Sequence, residues 1–382
     1  ASPLRPIGSG LRVGFALVAS LTLAAVVYAL AGGRLTPLFT LIVLQGILQF
    51  QARHRIEAAI HNLGANGEGL TIFAAVLACI PNPPAFLQPG PTALRRLAHL
   101  ADWIDACDTL LGRVLDFTVL YSLQLAAAAE AWRQRHAAAM SSWLAAVGEF
   151  EALASIATYS FEHPGDPFPE LVESTTPLYA ADELTHPLLP EAVAVRNSLC
   201  LNAETGLLIV SGSNMAGKST LLRAVGCNAV LALMGAPVRA HGLRLTPLQL
   251  GTRLRTSDSL QQGRSGFYAE ILRLRQVYEL CQGQLPVLYL FDELLEGTNS
   301  HDRVRGAQGL LQALLRHPTL GMVTTHDLAL ATMAADLGSR VRNVHLEDQI
   351  EGNDVRFDHK LRDGQVTKSN ALALMRIVGL EI

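Results

Sequence analysis

Residues Leu207-Leu-Ile-Val-Ser211 lead without a break into Gly212-Ser213-Asn214-Met215-Ala216-Gly217-Lys218-Ser219-Thr220, and these into LLRAVGCNAVLALMG. An apolar run of strand length, a turn bracketed by two glycines and a helical stretch must therefore follow one another directly. The turn fits the pattern GxxxxGK[ST], and it does so in the strand-before, helix-after context that gives the pattern physical meaning. Backbone N–H groups of such a loop and of the helix start surround phosphate oxygens. Lys218 is placed to reach the β- and γ-phosphates of a bound nucleotide, and the Ser219 hydroxyl to ligate Mg2+. The competing reading is a glycine-rich turn with a solvated lysine. Lysine occurs only at 218, 360 and 368, and that scarcity weighs against a chance match.

From about residue 177 onward, short β-rich runs alternate with helical ones. LLIVS (207–211), VLYLF (287–291) and GMVTT (321–325) are unbroken apolar strands, with STLLRAVGCNAVLALMG and RVRGAQGLLQALLRH as helical stretches among them. Strands buried on both faces read this way, and the alternation predicts a mainly parallel sheet covered by helices. The expected fold is therefore an α/β P-loop NTPase. Two of these strands end in residues with chemistry. VLYLF delivers Asp292-Glu293: Asp292 suits the Mg2+ shell, and Glu293 the general base that polarises the attacking water. GMVTT delivers His326, which can hydrogen-bond the γ-phosphate or that water. Between them, GRSG opens a helix whose Phe267, Ile271, Leu274 and Tyr278 share one face, and Ser265 at its start can face a phosphate or simply cap the helix.

The amino-terminal part reads differently. Residues 11–31, LRVGFALVASLTLAAVVYALA, are apolar apart from Arg12, long enough for a helix to cross ~30 Å of hydrocarbon. A second apolar run, 35–50, follows Gly32-Gly33-Arg34 at once, which fits a transmembrane hairpin better than a cleaved signal. Arg5, Arg12, Arg53 and Arg55 lie at its outer ends, predicting that both ends are cytoplasmic, at a bacterial inner membrane. The competing reading is a buried helical hairpin. Residues 56–160 read as helices punctuated by Pro81, Pro83, Pro84, Pro89 and Pro91, with one amphipathic helix over 137–159 carrying Trp143, Val147, Phe150, Ala154 and Ala157. The segment HPGDPFPE (163–170) breaks that pattern and is the expected domain boundary. A net charge of −3 gives no argument for nucleic acid. Five scattered cysteines, never in a CxxC pair, argue against zinc and against a disulfide framework.

SGSNMAGKST, GRSGFYAEI, DELLEGTNS and TTHD, in this order and spacing, resemble the ATPase domain of the MutS mismatch-repair family. THPLLP (185–190), NVHLED (343–348) and the tail DGQVTKSNALALMRIVGL (363–380) extend the resemblance, and the apolar hairpin is similar to that of a membrane-anchored MutS-like branch. The resemblance implies an ABC-type ATPase domain over 177–382, behind a lever-like helical region over 56–162 and the hairpin within 1–55. It implies ATP and Mg2+ as ligands, a homodimer, DNA as partner, and Ser265 acting on the partner subunit's γ-phosphate. Gly297–Ser300 would lie along the dimer interface. Some residues depart from the family pattern: Leu295-Glu296 stand where Gly-Arg is usual, and Gly266 where Thr is. Ala194 takes the place of a base-stacking aromatic, leaving Val195 and Asn197 to line a plainer base pocket. No mismatch-reading domain is recognisable, and no dimerisation helices follow Ile382, the pattern expected of a fragment. The leading expectation is a MutS-like ATPase whose nucleotide cycle moves a dimer. The alternatives are an ABC-class membrane ATPase, which lacks support because no LSGGQ signature is present, and a nucleotide-dependent scaffold not acting on DNA.

Overall fold

The computed structural model describes residues 9–60, 67–213, 215–254, 266–296, 299–351 and 354–365. The chain divides into two compact units between Ser155 and Ile156.

The first unit is helical: α1 (Ser9–Leu30), α2 (Thr36–Ile60), α3 (Gly67–Cys79), α4 (Gly90–Asp105), α5 (Leu110–Val119) and most of α6 (Tyr121–Glu162). The two apolar runs fall in α1 and α2, and α2 continues past the second of them to Ile60. On α1 the buried residues are Phe15, Ala19, Thr22 and Ala25, one stripe at three- and four-residue spacing. Buried Gln45 of α2 donates from Nε2 to Thr22 Oγ1 at 2.7 Å, so the two helices also meet through a polar pair. A separate cluster joins α3, α4 and the middle of α6 around Leu77, Leu94 and Trp143. Trp143 is fully buried, and its indole N–H donates to the Phe86 carbonyl at 3.1 Å. The helix expected over 137–159 is the latter part of α6, which runs for 42 residues. Its Ala154 and Ala157 are exposed, because the cluster that buries Trp143 involves only the earlier turns.

The second unit contains β1 (Glu170–Leu171), β2 (Tyr179–Leu184), β3 (Asn197–Leu201), β4 (Leu207–Ser211), α7 (Lys218–Leu233), β5 (Gly242–Leu245), β6 (Gln249–Arg253), α8 (Gly266–Leu280), β7 (Val287–Phe291), α9 (Ser300–Leu315), β8 (Thr319–Thr325), α10 (Leu328–Thr332), β9 (Val341–Glu351) and β10 (Asp354–Asp363). Four strands form a small sheet in the order β1-β5-β2-β3, and six form the main sheet in the order β10-β9-β4-β8-β7-β6. All pairings in the main sheet are parallel except β9 with β10. Side-chain alternation splits the core in two. Leu208, Val210, Leu288, Leu290 and Met322 face α7 and the small sheet, whereas Leu207, Ile209, Tyr289, Phe291 and Val323 face α8, α9 and α10. Every residue of β4, β7 and β8 is buried, which is why these strands carry no polar alternation.

The proline-rich segment 163–170 belongs with this second unit. Arg239 pairs with the buried Asp166 carboxylate at 2.9 Å, Val238 N–H donates to the Pro167 carbonyl, and β1 adds to the small sheet. The division therefore falls earlier than the composition of that segment suggests, inside the last turns of α6.

Candidate functional site

Three parallel neighbours deliver the residues of interest to one edge. In register, Ser211 lies beside Thr325 and Phe291 beside Val323. Gly212, Asp292-Glu293 and His326 therefore leave the sheet together at its carboxyl end, where open α/β sheets bind ligands.

The turn from β4 to α7 needs its glycines. Gly212 has φ +150°, and a Cβ there would stand 2.7 Å from the Leu346 carbonyl oxygen of β9. Gly217 has φ +99°, and its Cβ would sit 3.0 Å from His359 Nδ1. As the N-cap of α7, Gly217 offers no side chain to the first N–H groups of the helix, which face the loop instead. Lys218 is 3% exposed. Its Nζ donates to the carbonyls of Gly212 at 2.8 Å and Ser213 at 2.7 Å, so the cation lies folded across its own loop. Ala216 is buried, Ser213 and Ser219 half-buried, and Met215 and Thr220 exposed. Asn214 lies outside the described residues, as do Ser265, Gly297 and Thr298.

The turn after β7 is held from both sides. Asp292 is buried, and its Oδ1 accepts from Thr324 Oγ1 at 2.7 Å; the same hydroxyl accepts from the Glu293 N–H at 2.9 Å. Opposite, the Arg253 guanidinium at the end of β6 donates to the carbonyls of Asp292 and Glu293 and pairs with Glu270 of α8 at 3.1 Å. Glu270 Oε1 accepts in turn from the Leu295 N–H at 2.9 Å. Within this clamp Glu293 has φ +52° and Leu295 φ +58°, a left-handed backbone that side-chain-bearing residues seldom adopt. His326 Nδ1 lies 3.7 Å from Glu293 Oε1. Glu296 comes from the same turn, and one ligand atom from each of Glu293, Glu296 and His326 falls within 4.8 Å of the others. Arg253 and Glu270 do not stand out in the sequence: a strand ending in arginine and a glutamate on a helix are ordinary until the fold brings them together.

Beside the loop is a cavity of about 290 Å³ bounded by Gly217, Thr220 and Leu221 on one side and by Leu189, Val193, Val195 and Asn197 on another. Asn197 donates to the His359 carbonyl at 2.9 Å and accepts from the Leu361 N–H at 2.8 Å, so its amide fastens β10 to β3. His359 thereby presents its ring to the cavity and its Nδ1 to the Ala216 carbonyl at 2.9 Å. His186 also lines the cavity; burial, helped by Arg223, holds it below the usual histidine range and so uncharged at neutral pH. His186 lies in the THPLLP segment, whereas His359 carries no sequence signal, because it acquires its place from pairing between distant strands. The tight glycine approaches and the adjoining cavity fit a phosphate tail bound at the loop and a flat, uncharged ring bound beside it. If His359 supports such a ring, His359→Ala should weaken nucleotide binding by about 1–3 kcal/mol, the range of base–aromatic stacking. His359→Phe should recover most of that loss, and equilibrium titration with a fluorescent nucleotide distinguishes the two variants.

A family model described as MutS domain V matches residues 208–381, beginning inside β4 and spanning the loop, the β7 turn, His326 and β10. The DNA mismatch repair protein MutS of Geobacillus thermodenitrificans is 31% identical over 245 residues, covering 62% of this chain and 26% of that protein. The MutS protein of Geobacillus kaustophilus is 31% identical over 243 residues with the same coverage. That of Streptococcus uberis is 30% identical over 190 residues, 49% of this chain and 22% of its own length. Over residues 208–381 this chain is similar to domain V of the MutS family. The chain spans about a quarter of the length of the Geobacillus MutS proteins it matches. Relative to the MutS pattern, Leu295 occupies a glycine's place in a left-handed conformation while burying its side chain.

Proposed function

We propose that this chain binds Mg·ATP at the β4–α7 loop and hydrolyses it. The observation that carries the reading is the convergence of Lys218, Asp292, Glu293 and His326 at one sheet edge, next to a cavity sized for a base. On binding, Lys218 exchanges the carbonyls of Gly212 and Ser213 for phosphate oxygens, which are charged and therefore the stronger acceptors. Ser219 and Asp292 are the residues that would hold Mg2+; bound there, the ion neutralises charge on the phosphates. Glu293 accepts the proton of the attacking water, with its carboxylate oriented by the Thr324 bond and the Arg253 clamp. His326, beside Glu293, orients that water or the γ-phosphate. The ribose and base lie along Thr220, Val195 and His359.

The finer parts of the reading follow the MutS relatives. A dimer through the ATPase domains would set Ser265 against the partner subunit's phosphate, and DNA is the partner that the relatives' names supply. The helical hairpin supports membrane attachment with the ATPase domain in the cytoplasm. Of the stretch Val13–Leu30 only 22% is buried, yet its outward residues are apolar, with Leu17 58% and Val27 65% exposed. A helix apolar all round has either protein or lipid on every side.

The decisive test is nucleotide binding by Lys218→Ala. Loss of the charged donor should weaken ATP by about 1.5–3 kcal/mol, roughly 10- to 150-fold. Unchanged affinity in a folded variant would remove the loop from the nucleotide site.

A further inference from the structure

We propose that α5 and the bend that follows it form a re-entrant segment of the membrane unit, a third lipid-facing element beside α1 and α2. The inference rests on the membrane reading of the hairpin and extends it to a helix that the sequence assigns to the lever-like region. It begins with α5's outer face. Leu110, Leu111, Val114 and Phe117 are 81%, 69%, 52% and 59% exposed, and 110, 114 and 117 recur at helical spacing. Arg113 lies at the margin of this face, where its long stem can carry the guanidinium toward headgroups.

The second observation is how the bend meets its polar backbone needs. After Val119 the chain turns by 84° into α6, with Leu120 in the left-handed region and fully buried. The carbonyls at such a helix end lose their own-helix partners and in water are left to solvent. Here side chains serve those of Thr118 and Val119 and add a second donor to that of Asp116, which also accepts from the Leu120 N–H. Gln49 Nε2 donates to the Asp116 carbonyl at 2.8 Å, Gln45 Nε2 to that of Thr118 at 3.1 Å, and Gln124 Nε2 to that of Val119 at 2.6 Å. The Asp116 carboxylate accepts from the Ser122 N–H at 2.7 Å on the far side of the bend. Internal satisfaction of this kind is what non-helical backbone requires at membrane depth.

The third observation fixes the depth. Gln45 Nε2 also reaches Thr22 Oγ1, so the bend lies level with Thr22, near the middle of the apolar stretch Val13–Leu30. Gln49, further along α2, bonds the earlier residue Asp116, so α5 approaches the bend from the side of α2's carboxyl end. Beyond the bend, Leu123 and Ala127 of α6 pack in one cluster with Phe15 of α1 and with Leu48, Ala52 and Ile56 of α2. The segment therefore enters from the side on which the hairpin's two ends lie and leaves toward that same side.

The test is nitroxide labelling of single cysteines in full-length protein reconstituted in phosphatidylethanolamine–phosphatidylglycerol vesicles, after replacing the five native cysteines. Labels go at Leu21 in the hairpin, at Val114 and Phe117 in α5, and at Leu153, exposed on α6. All four sites are surface positions, and circular dichroism matching the parent verifies each fold. Labels at 114 and 117 should collide with oxygen and be shielded from a water-soluble nickel chelate as fully as the label at 21, while that at 153 meets the chelate freely. Shielding at 21 with free nickel access at 114 and 117 would overturn the re-entrant segment and leave the hairpin standing. Free access at all four would overturn both.

Discussion

Glu293→Gln should bind Mg·ATP as the parent does and hydrolyse it roughly 10²–10⁴-fold more slowly, the usual contribution of a positioned general base. The substitution keeps the shape of the side chain. It also keeps the backbone hydrogen bond from residue 293 to Thr324, so the turn and the neighbouring Asp292 stay in place. What it removes is the ability to accept a proton. Equilibrium nucleotide binding and single-turnover hydrolysis, measured on the same preparation, separate the two functions. Turnover at the parental rate would move the base elsewhere, and two neighbours are close enough to take the role. If Glu296→Gln alone stops hydrolysis, the base is the second carboxylate of the turn; if only a His326 substitution does, it is the imidazole.

Glu270→Ala should cost about 3–5 kcal/mol of stability, because it leaves the Arg253 guanidinium enclosed without its counter-charge. The Glu270 side chain is 4% exposed and that of Arg253 17%, so water replaces the lost partner poorly. Urea unfolding measures the loss directly, and a change below about 1 kcal/mol would mean that the pair behaves like an exposed one. The double substitution Arg253→Met with Glu270→Leu should regain most of the stability, since apolar residues of similar volume can replace a buried ion pair. It should not regain activity. Without the guanidinium on the carbonyls of Asp292 and Glu293, and the carboxylate on the Leu295 N–H, the left-handed turn that aims Glu293 loses the hold of β6 and α8. Stability and hydrolysis would then separate in one protein.

The features legible in the sequence are those dictated by local composition and burial. β4, β7 and β8 are unbroken apolar runs because both of their faces are covered, and Gly212 and Gly217 stand where the backbone must pass within contact of Leu346 and His359. The first half of α6 was harder to read. Leu123, Leu125, Ala126, Ala127 and Ala129 are all buried, so that part of the helix has no single apolar stripe and gives no helical period. The clamp of Arg253 and Glu270 was hidden for a different reason: it is a contact between β6 and α8, and neither residue is unusual where it stands. The same holds for His359, which reaches the cavity only because Asn197 fastens β10 against β3.

That fastening ties together residues 162 positions apart. Chains emerge from the ribosome at about 5–20 residues per second, so Gly212–Ser219 is exposed for many seconds before His359 follows it. During that interval the loop can meet phosphates, but the wall that faces the base does not yet exist, and neither does the imidazole that grips the Ala216 carbonyl. On the proposed nucleotide reading, a nascent chain halted before β10 would hold the phosphate tail without the stacking contact and bind nucleotide more weakly. On that reading the stacking surface for the base would form late in synthesis, once the strand bearing His359 has closed the cavity.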